Sequence, residues 1–271
     1  MGTSASTSKV WFITGASAGI GRELVRHALD SGDQVAAVAR DRAALDALGP
    51  AEHLLAISAD VGDEKAVHGA VEETVACFGR IDVVANNAGY GLFGAVEEVT
   101  DEQARAIFDT NVFGVLNVLR ATLPVLRRQR SGHILQGSSM LGQTTLPGLG
   151  LLSATKHAVE GLSDALADEV APLGIKVTLI EPGPVATGFV ANMDQAGVQH
   201  TDYDQTVRAP QPGFAAASTE RVTAGILTAL ASDDPPRRLA LGAIGGTAIR
   251  TALTARLAEL DEWDLVTARA S

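Results

Sequence analysis

From Lys9 onward, short apolar strands alternate with helical stretches, and the turn after the first strand is made of glycine and small residues. That alternation limits the possible folds more than any single residue does. Strand-like runs occur at 9–14, 34–39, 53–58, 81–86, 132–137, 175–180 and 238–242. Helical stretches lie between them at 21–30, 42–48, 64–78, 101–127, 151–171 and 219–232. Short apolar strands separated by helices predict a parallel α/β sheet of about seven strands, doubly wound with helices on both faces. Thr100 and Gln103 form a capping-box pattern at the head of the fourth helix, and Pro172-Leu173-Gly174 stops the fifth. No repeat or linker divides the chain, so 9–271 is expected to form one domain behind a flexible segment at 1–8. The stretch 186–217 is polar and aperiodic, as lids and binding loops are.

Composition narrows the partners. Of 271 residues, 46% are hydrophobic, enough for a sizeable core. The 32 acidic residues outnumber 21 basic ones, for a formal charge of −11. That argues against nucleic acid or an anionic membrane as the main partner. No run resembles a secretory signal or a membrane span. A single cysteine, Cys77, rules out an intramolecular disulfide and a Cys-rich zinc site. The six histidines show no metal-ligand spacing, and the expected location is the cytoplasm. Only two tyrosines exist, Tyr90 and Tyr203, so any phenol chemistry must use one of them.

The first strand runs into Thr14-Gly15-Ala16-Ser17-Ala18-Gly19-Ile20-Gly21 and then a helix. Glycines there let the backbone turn tightly against a pyrophosphate placed at the helix N-terminus. The run resembles the TGxxxGxG signature of the short-chain dehydrogenase/reductase family, and other motifs follow in the family's order. Asp60-Val61 ends the third strand, where the family places an Asp on the adenine. Asn86-Asn87-Ala88-Gly89 is similar to its NNAG motif, and Asn111 stands where the family has a structural and catalytic Asn. Pro182-Gly183-Pro184-Val185-Ala186-Thr187 is similar to the PGxVxT segment that holds the nicotinamide. The resemblance spans roughly Lys9 to Thr187 and implies a Rossmann-type fold. It also implies pairing through the fourth and fifth helices into a homodimer or homotetramer.

On this resemblance Gly15, Ser17, Ala18, Gly19, Ile20, Asp60, Val61, Asn87, Ala88, Gly89, Lys156, Pro182, Gly183, Val185 and Thr187 contact the dinucleotide. Val38-Ala39-Arg40 ends the second strand without an acidic residue. A carboxylate there would bind the ribose hydroxyls of NAD(H), whereas the Arg40 guanidinium suits a 2′-phosphate, so NADP(H) is favoured.

The family's reaction moves a hydride between nicotinamide and a carbonyl or carbinol carbon. It uses a Ser, and a Tyr and Lys spaced as YxxxK. Ser139 and Lys156 match; four residues before Lys156 the sequence has Leu152. Leucine has no proton to give, and losing a positioned general acid costs about 10²–10⁴ in rate. Positions 152 and 156 share one helix face, so Leu152 is expected to point into the cleft beside Lys156. Tyr90 follows the NNAG motif and is read as a pocket wall; Ser139 has no partner His for a hydrolase triad. Met140, Leu149, Leu152 and Phe189 suggest an apolar pocket, with the Gln143 amide available to orient a polar group. The leading expectation is an NADPH-dependent ketoreductase for a hydrophobic carbonyl or alcohol, its proton coming from water or from the substrate. Three alternatives stay open: a redox-neutral dehydratase, cyclase or isomerase; a silent NADP(H)-binding homologue; and a variant whose tyrosine was replaced.

Overall fold

Every residue of the first strand, β1 (Val10–Thr14), is buried. Trp11 and Ile13 enter the core on one face of the sheet and Phe12 the core on the other. The computed structural model describes residues 8–209 and 215–269. After β1 come α1 (Gly19–Asp30), β2 (Gln34–Ala39), α2 (Arg42–Asp46), β3 (Leu54–Ser58), α3 (Glu64–Phe78), β4 (Val83–Asn86) and a short strand β5 (Leu92–Phe93). Next are α4 (Asp101–Phe108), a π-helical turn at Asp109–Phe113, α5 (Gly114–Gln129), β6 (Gly132–Gly137), α6 (Gly150–Val170) and β7 (Ile175–Pro182). The last part holds β8 (Asp194–Gln195), α7 (Thr219–Leu230), β9 (Arg238–Leu241), α8 (Ala243–Glu262) and α9 (Asp264–Arg269).

Seven strands form one parallel sheet in the order β3-β2-β1-β4-β6-β7-β9. The chain therefore winds outward from β1 in both directions, as the Rossmann-type α/β fold does. The reversal leaves a crevice at the carboxyl ends of β1 and β4, where such sheets bind ligands. One apolar core lies under α3, α5 and α6, around Val71, Leu119 and Val159. The other lies under α1 and α7, around Leu24, Val25 and Ile226. Cover on both faces explains why the central strands β1, β2 and β4 carry nearly continuous apolar runs.

Three features differ from the sequence reading. The helix expected over 101–127 is interrupted by the π turn, which carries Asn111 at its centre; such turns insert one residue and re-aim side chains. The stretch 186–217 contains β8, paired in parallel with β5. Finally, α8 and α9 fall where no helix was expected, because alanine and threonine around the leucines of α8 leave no sharply polar face. Of the expected flexible segment 1–8, residues 1–7 lie outside the described residues, while the Ser8 hydroxyl donates to Gly32 O at 2.9 Å. Residues 210–214 of the expected lid also lie outside them. No described helix is long and apolar enough to cross a membrane.

Candidate active site

The nucleotide end of the crevice is built by two loops bound to each other. Asn87 Nδ2 donates to the carbonyls of Thr14 and Gly15 at 3.1 and 3.4 Å. The Thr14 hydroxyl accepts from the Asn87 and Ala88 amides at 3.0 and 3.1 Å. Gly15 adopts φ +63°, and a methyl group there would stand 2.9 Å from Asn87 Nδ2, so only glycine closes this turn. Ser17 lies on the turn that follows, Ile20 packs on the core under α1, and Ala18 is the N-cap of α1. Ala18 has no side chain to cap the helix, and the first turn holds no acidic residue. The leading N–H groups of α1 therefore suit a pyrophosphate. A methyl group at Gly19 would meet Thr187 at 3.4 Å, so this loop adjoins the Pro182–Thr187 segment.

At the far end, three charged residues have different commitments. Asp41 caps α2 by accepting from the Ala44 amide at 3.1 Å, and Arg42 Nε donates to Asp46 at 2.8 Å. The Arg40 side chain is 70% exposed and only 3.9 Å from Asp60, which accepts from Gly62 N through its other oxygen. Val61 is buried, and its carbonyl accepts from Asn117 Nδ2 at 2.9 Å.

The π turn locks the centre of the site. Asn111 Oδ1 accepts from Tyr90 N at 3.1 Å, while its Nδ2 donates to Tyr90 O at 2.9 Å and to Thr155 Oγ1 at 3.2 Å. This residue thus ties the loop after β4 to α6. Lys156 Nζ donates to Gly137 O at 2.7 Å. A methyl group at Gly89 would lie 3.0 Å from Asn111 Oδ1 and 3.8 Å from Lys156 Nζ, so these three residues converge. Burial lowers the Lys156 ammonium to about 8, partly opposed by the Glu160 charge. Burial also pushes the Tyr90 phenol up, with Asp194 acting in the same direction.

Ser139 caps the turn after β6, accepting from Leu141 N at 3.2 Å, and its hydroxyl lies 3.5 Å from Pro182 O. Behind it is a buried network with no counterpart in the sequence reading. The Ser138 hydroxyl donates to Glu160. Gln143 Nε2 donates to both Glu160 and Glu181 at 3.0 Å, so its nitrogen is engaged within the protein rather than held out to a ligand. Arg238 Nε reaches Glu160 at 2.9 Å and lies 3.6 Å from Glu181. Burial, then the neighbouring Glu160 charge, raises the Glu181 carboxyl pKa. The available signal was a carboxylate closing a buried strand, at Glu181, and another one turn beyond Lys156, at Glu160.

Leu152 shares a helix with Lys156 but is only 2% exposed. It lies inside a third apolar cluster with Leu92, Ile107, Met140, Leu141 and Ile249, rather than lining an open cleft. Tyr90, Leu149 and Met193 pack at its edge. Phe189 and Met193 of the 186–217 segment approach Gly91. That segment is strapped down at its far end. Arg208 makes two 3.0 Å bonds to buried Glu98, which also accepts from His200 N at 2.6 Å. Arg208 holds the Glu98 carboxyl down at about 2. Tyr203, the other phenol, donates to Glu97 on this strap.

A dinucleotide crevice leading to an ordered Asn, Ser and Lys defines a nucleotide-dependent oxidoreductase of the α/β class. The family model for short chain dehydrogenases matches residues 9–197, and the chain belongs to that family. It is 38% identical over 244 residues to "Oxidoreductase BOA17" of Botryotinia fuckeliana, covering 87% of this chain and 89% of that one. A short-chain dehydrogenase from Streptomyces avermitilis superposes with a TM-score of 0.90 at 37% identity, covering 98% of this chain and all of that one. A short chain dehydrogenase from Burkholderia cenocepacia, solved in complex with NADP, gives 0.77 at 26% identity, over 94% and 97% of the two chains. A short chain dehydrogenase/reductase from Burkholderia phymatum is a complex with NAD, so kinship supports a nicotinamide cofactor without choosing between the two.

Proposed function

We propose that this protein is an NADPH-dependent ketoreductase for a bulky hydrophobic ketone, or the corresponding alcohol dehydrogenase, working without the tyrosine of its family. One observation carries the reading: Asn111, Ser139 and Lys156 are ordered around the crevice while the acid position between them is a buried leucine. The residues present fit the cofactor. The uncapped start of α1 takes the pyrophosphate, and exposed Arg40 takes the 2′-phosphate. Asp60 and Val61 flank the adenine; Asn87, Ala88, Gly89 and Lys156 hold the nicotinamide side with Pro182, Gly183, Val185 and Thr187.

NADPH, when bound, supplies the hydride to the carbonyl carbon. Ser139 then donates a hydrogen bond to the carbonyl oxygen, and Lys156 keeps positive charge beside it. The proton that completes the alcohol comes from water next to Lys156 or from an ionisable group on the substrate, such as a neighbouring phenol. Tyr90 and Leu149 at the edge of the apolar cluster that encloses Met140 and Leu152, with Phe189 close to Gly91, favour a hydrophobic substrate over a sugar. The same reading makes the protein a cytoplasmic homodimer or homotetramer.

The test is NADPH oxidation with a panel of hydrophobic aromatic ketones, scored against alcohol formed. One-to-one consumption with a particular ketone supports the reading. Product formed with cofactor unchanged makes the enzyme redox-neutral, and tight NADPH binding without turnover of any substrate makes it a silent homologue. Either result overturns the proposal.

A further inference from the structure

The last long helix exposes a stripe that water does not favour. α8 is buried at Gly245 and Ile249, yet every residue from Leu253 to Asp264 is exposed. Leu253, Leu257 and Leu260 are 41, 62 and 58% exposed. Spacings of four and three residues place them on one line, continuing from Ile249. Arg256 Nη2, on the flank of the stripe, reaches back to His157 Nε2 of α6 at 3.3 Å and ties the helix to the body, while beyond Ile249 the leucines run past the body into solvent. The exposed end of α8 is too short to be stable by itself in water, and a contiguous apolar stripe marks a contact surface.

The charges beside the stripe say what covers it. At about 100° per residue, Arg250 and Asp261 lie on one side of the leucines, and Arg256 and Glu259 on the other. On both sides the basic residue comes first in the chain and the acidic one later. In two antiparallel copies, like sides face each other. With Leu253 opposite the partner's Leu260, Arg250 meets the partner's Asp261, the two-fold axis repeats both contacts, and the two copies of Arg256 that meet near the axis are each flanked by the partner's Glu259. In a parallel pair, opposite sides meet: Arg256 can then reach the partner's Asp261, but Asp261 also lies almost level with the partner's Glu259, and Arg250 has no acidic group opposite it. Like charges disfavour that arrangement. An anionic bilayer is opposed by Glu259, Asp261, Glu262 and Asp264 at the far end of the stripe.

We infer that α8 docks on the α8 of a second copy of this chain, antiparallel and centred between Arg256 and Leu257. This contact is separate from any pairing through α5 and α6, and it stands independently of the catalytic reading. A single helix pair covers less than the roughly 800 Å² per partner of a standard interface, so this association depends on concentration.

Disulfide trapping in the full-length chain tests the register, with Cys77→Ser removing the native thiol. An equimolar mixture of the Leu253→Cys and Leu260→Cys variants should give a covalent dimer on mild oxidation. Each variant alone should not, because its two copies of the thiol are about 10 Å apart along the axis. Cross-linking by either single variant alone, or none in the mixture, overturns the proposal. An oligomer that persists without the mixed cross-link does so too, while leaving pairing through α5 and α6 standing. Leu257→Glu should weaken self-association at sedimentation equilibrium by at least about tenfold with NADPH binding unchanged. Unchanged association, or phosphatidylcholine vesicle binding that Leu257→Glu abolishes in place of dimerisation, overturns it.

Discussion

Lys156 Nζ is hydrogen-bonded at 2.7 Å to the carbonyl oxygen of Gly137, which fixes the cation of the crevice to the strand end that leads into Ser139. The ammonium is also buried enough to lose its proton near pH about 8. Below that value it is a cation and a source of protons for nearby water. Above it, the charge is gone. Ketone reduction is therefore expected to fall as pH rises through about 8. Lys156→Gln should cut the rate by about 10² or more and flatten this limb of the profile. A pH–rate series on both proteins checks this; an unchanged alkaline limb in the variant would remove Lys156 from the proton path.

In the proposed reaction Leu152 stands where the family resemblance expects a phenol. Leu152→Tyr is expected to raise turnover of simple hydrophobic ketones by about 10²–10⁴, restoring a general acid one helical turn from Lys156. The same phenol adds a hydroxyl to a packed apolar cluster and should lower stability by about 1–3 kcal/mol. Steady-state kinetics and thermal melts of one preparation measure both effects. A substrate that supplies its own proton should gain far less than a simple ketone.

Arg40 is the charged group at the end of β2 that is neither a helix cap nor a short ion pair. Arg40→Ala should weaken NADPH binding by about 10–100-fold, the value of a charge-assisted contact, and leave NADH binding within about twofold. Fluorescence titration with each nucleotide decides it. Equal losses for both would move the phosphate site elsewhere.

Burial, then the neighbouring Glu160 charge, raises the Glu181 carboxyl to about 7. The other charged groups near this network are Arg238, Asp164 and Lys156. A carboxyl whose pKa is raised on folding contributes stability that is full below its ordinary range. That stability is lost as pH rises through the native value. Glu181→Gln keeps the neutral shape, so its melting temperature should fall less than that of the native chain from about pH 5 to about pH 8. The gap should reach about 2–6 °C at the upper end. Parallel temperature curves would mean that Glu181 ionises normally.

Much of this was legible from neighbouring residues. Strands buried on both faces carry nearly continuous apolar runs, so β1, β2 and β4 showed themselves, and the Thr100–Gln103 capping box forms as its spacing predicts. The glycine loop was readable for the same reason: Gly15 needs a positive φ whatever the rest of the chain does. Other parts were not readable. A π turn inserts one residue into an otherwise continuous helical pattern, so the break at Asn111 leaves no periodic trace. The strap joining Glu98 to Arg208 spans 110 residues and has no local signal.

By itself, the sequence determined the sheet, the dinucleotide loop and the absence of a tyrosine before Lys156, because each depends on residues within a few positions of one another. Only the tertiary structure decided that Leu152 is enclosed by Leu92, Ile107 and Ile249, that the Gln143 nitrogen is engaged by Glu160 and Glu181, and that the leucines of α8 face outward. Those outcomes depend on which distant surfaces meet. The choice is made by packing and by satisfying buried polar groups across the whole fold, and no stretch of chain carries it alone.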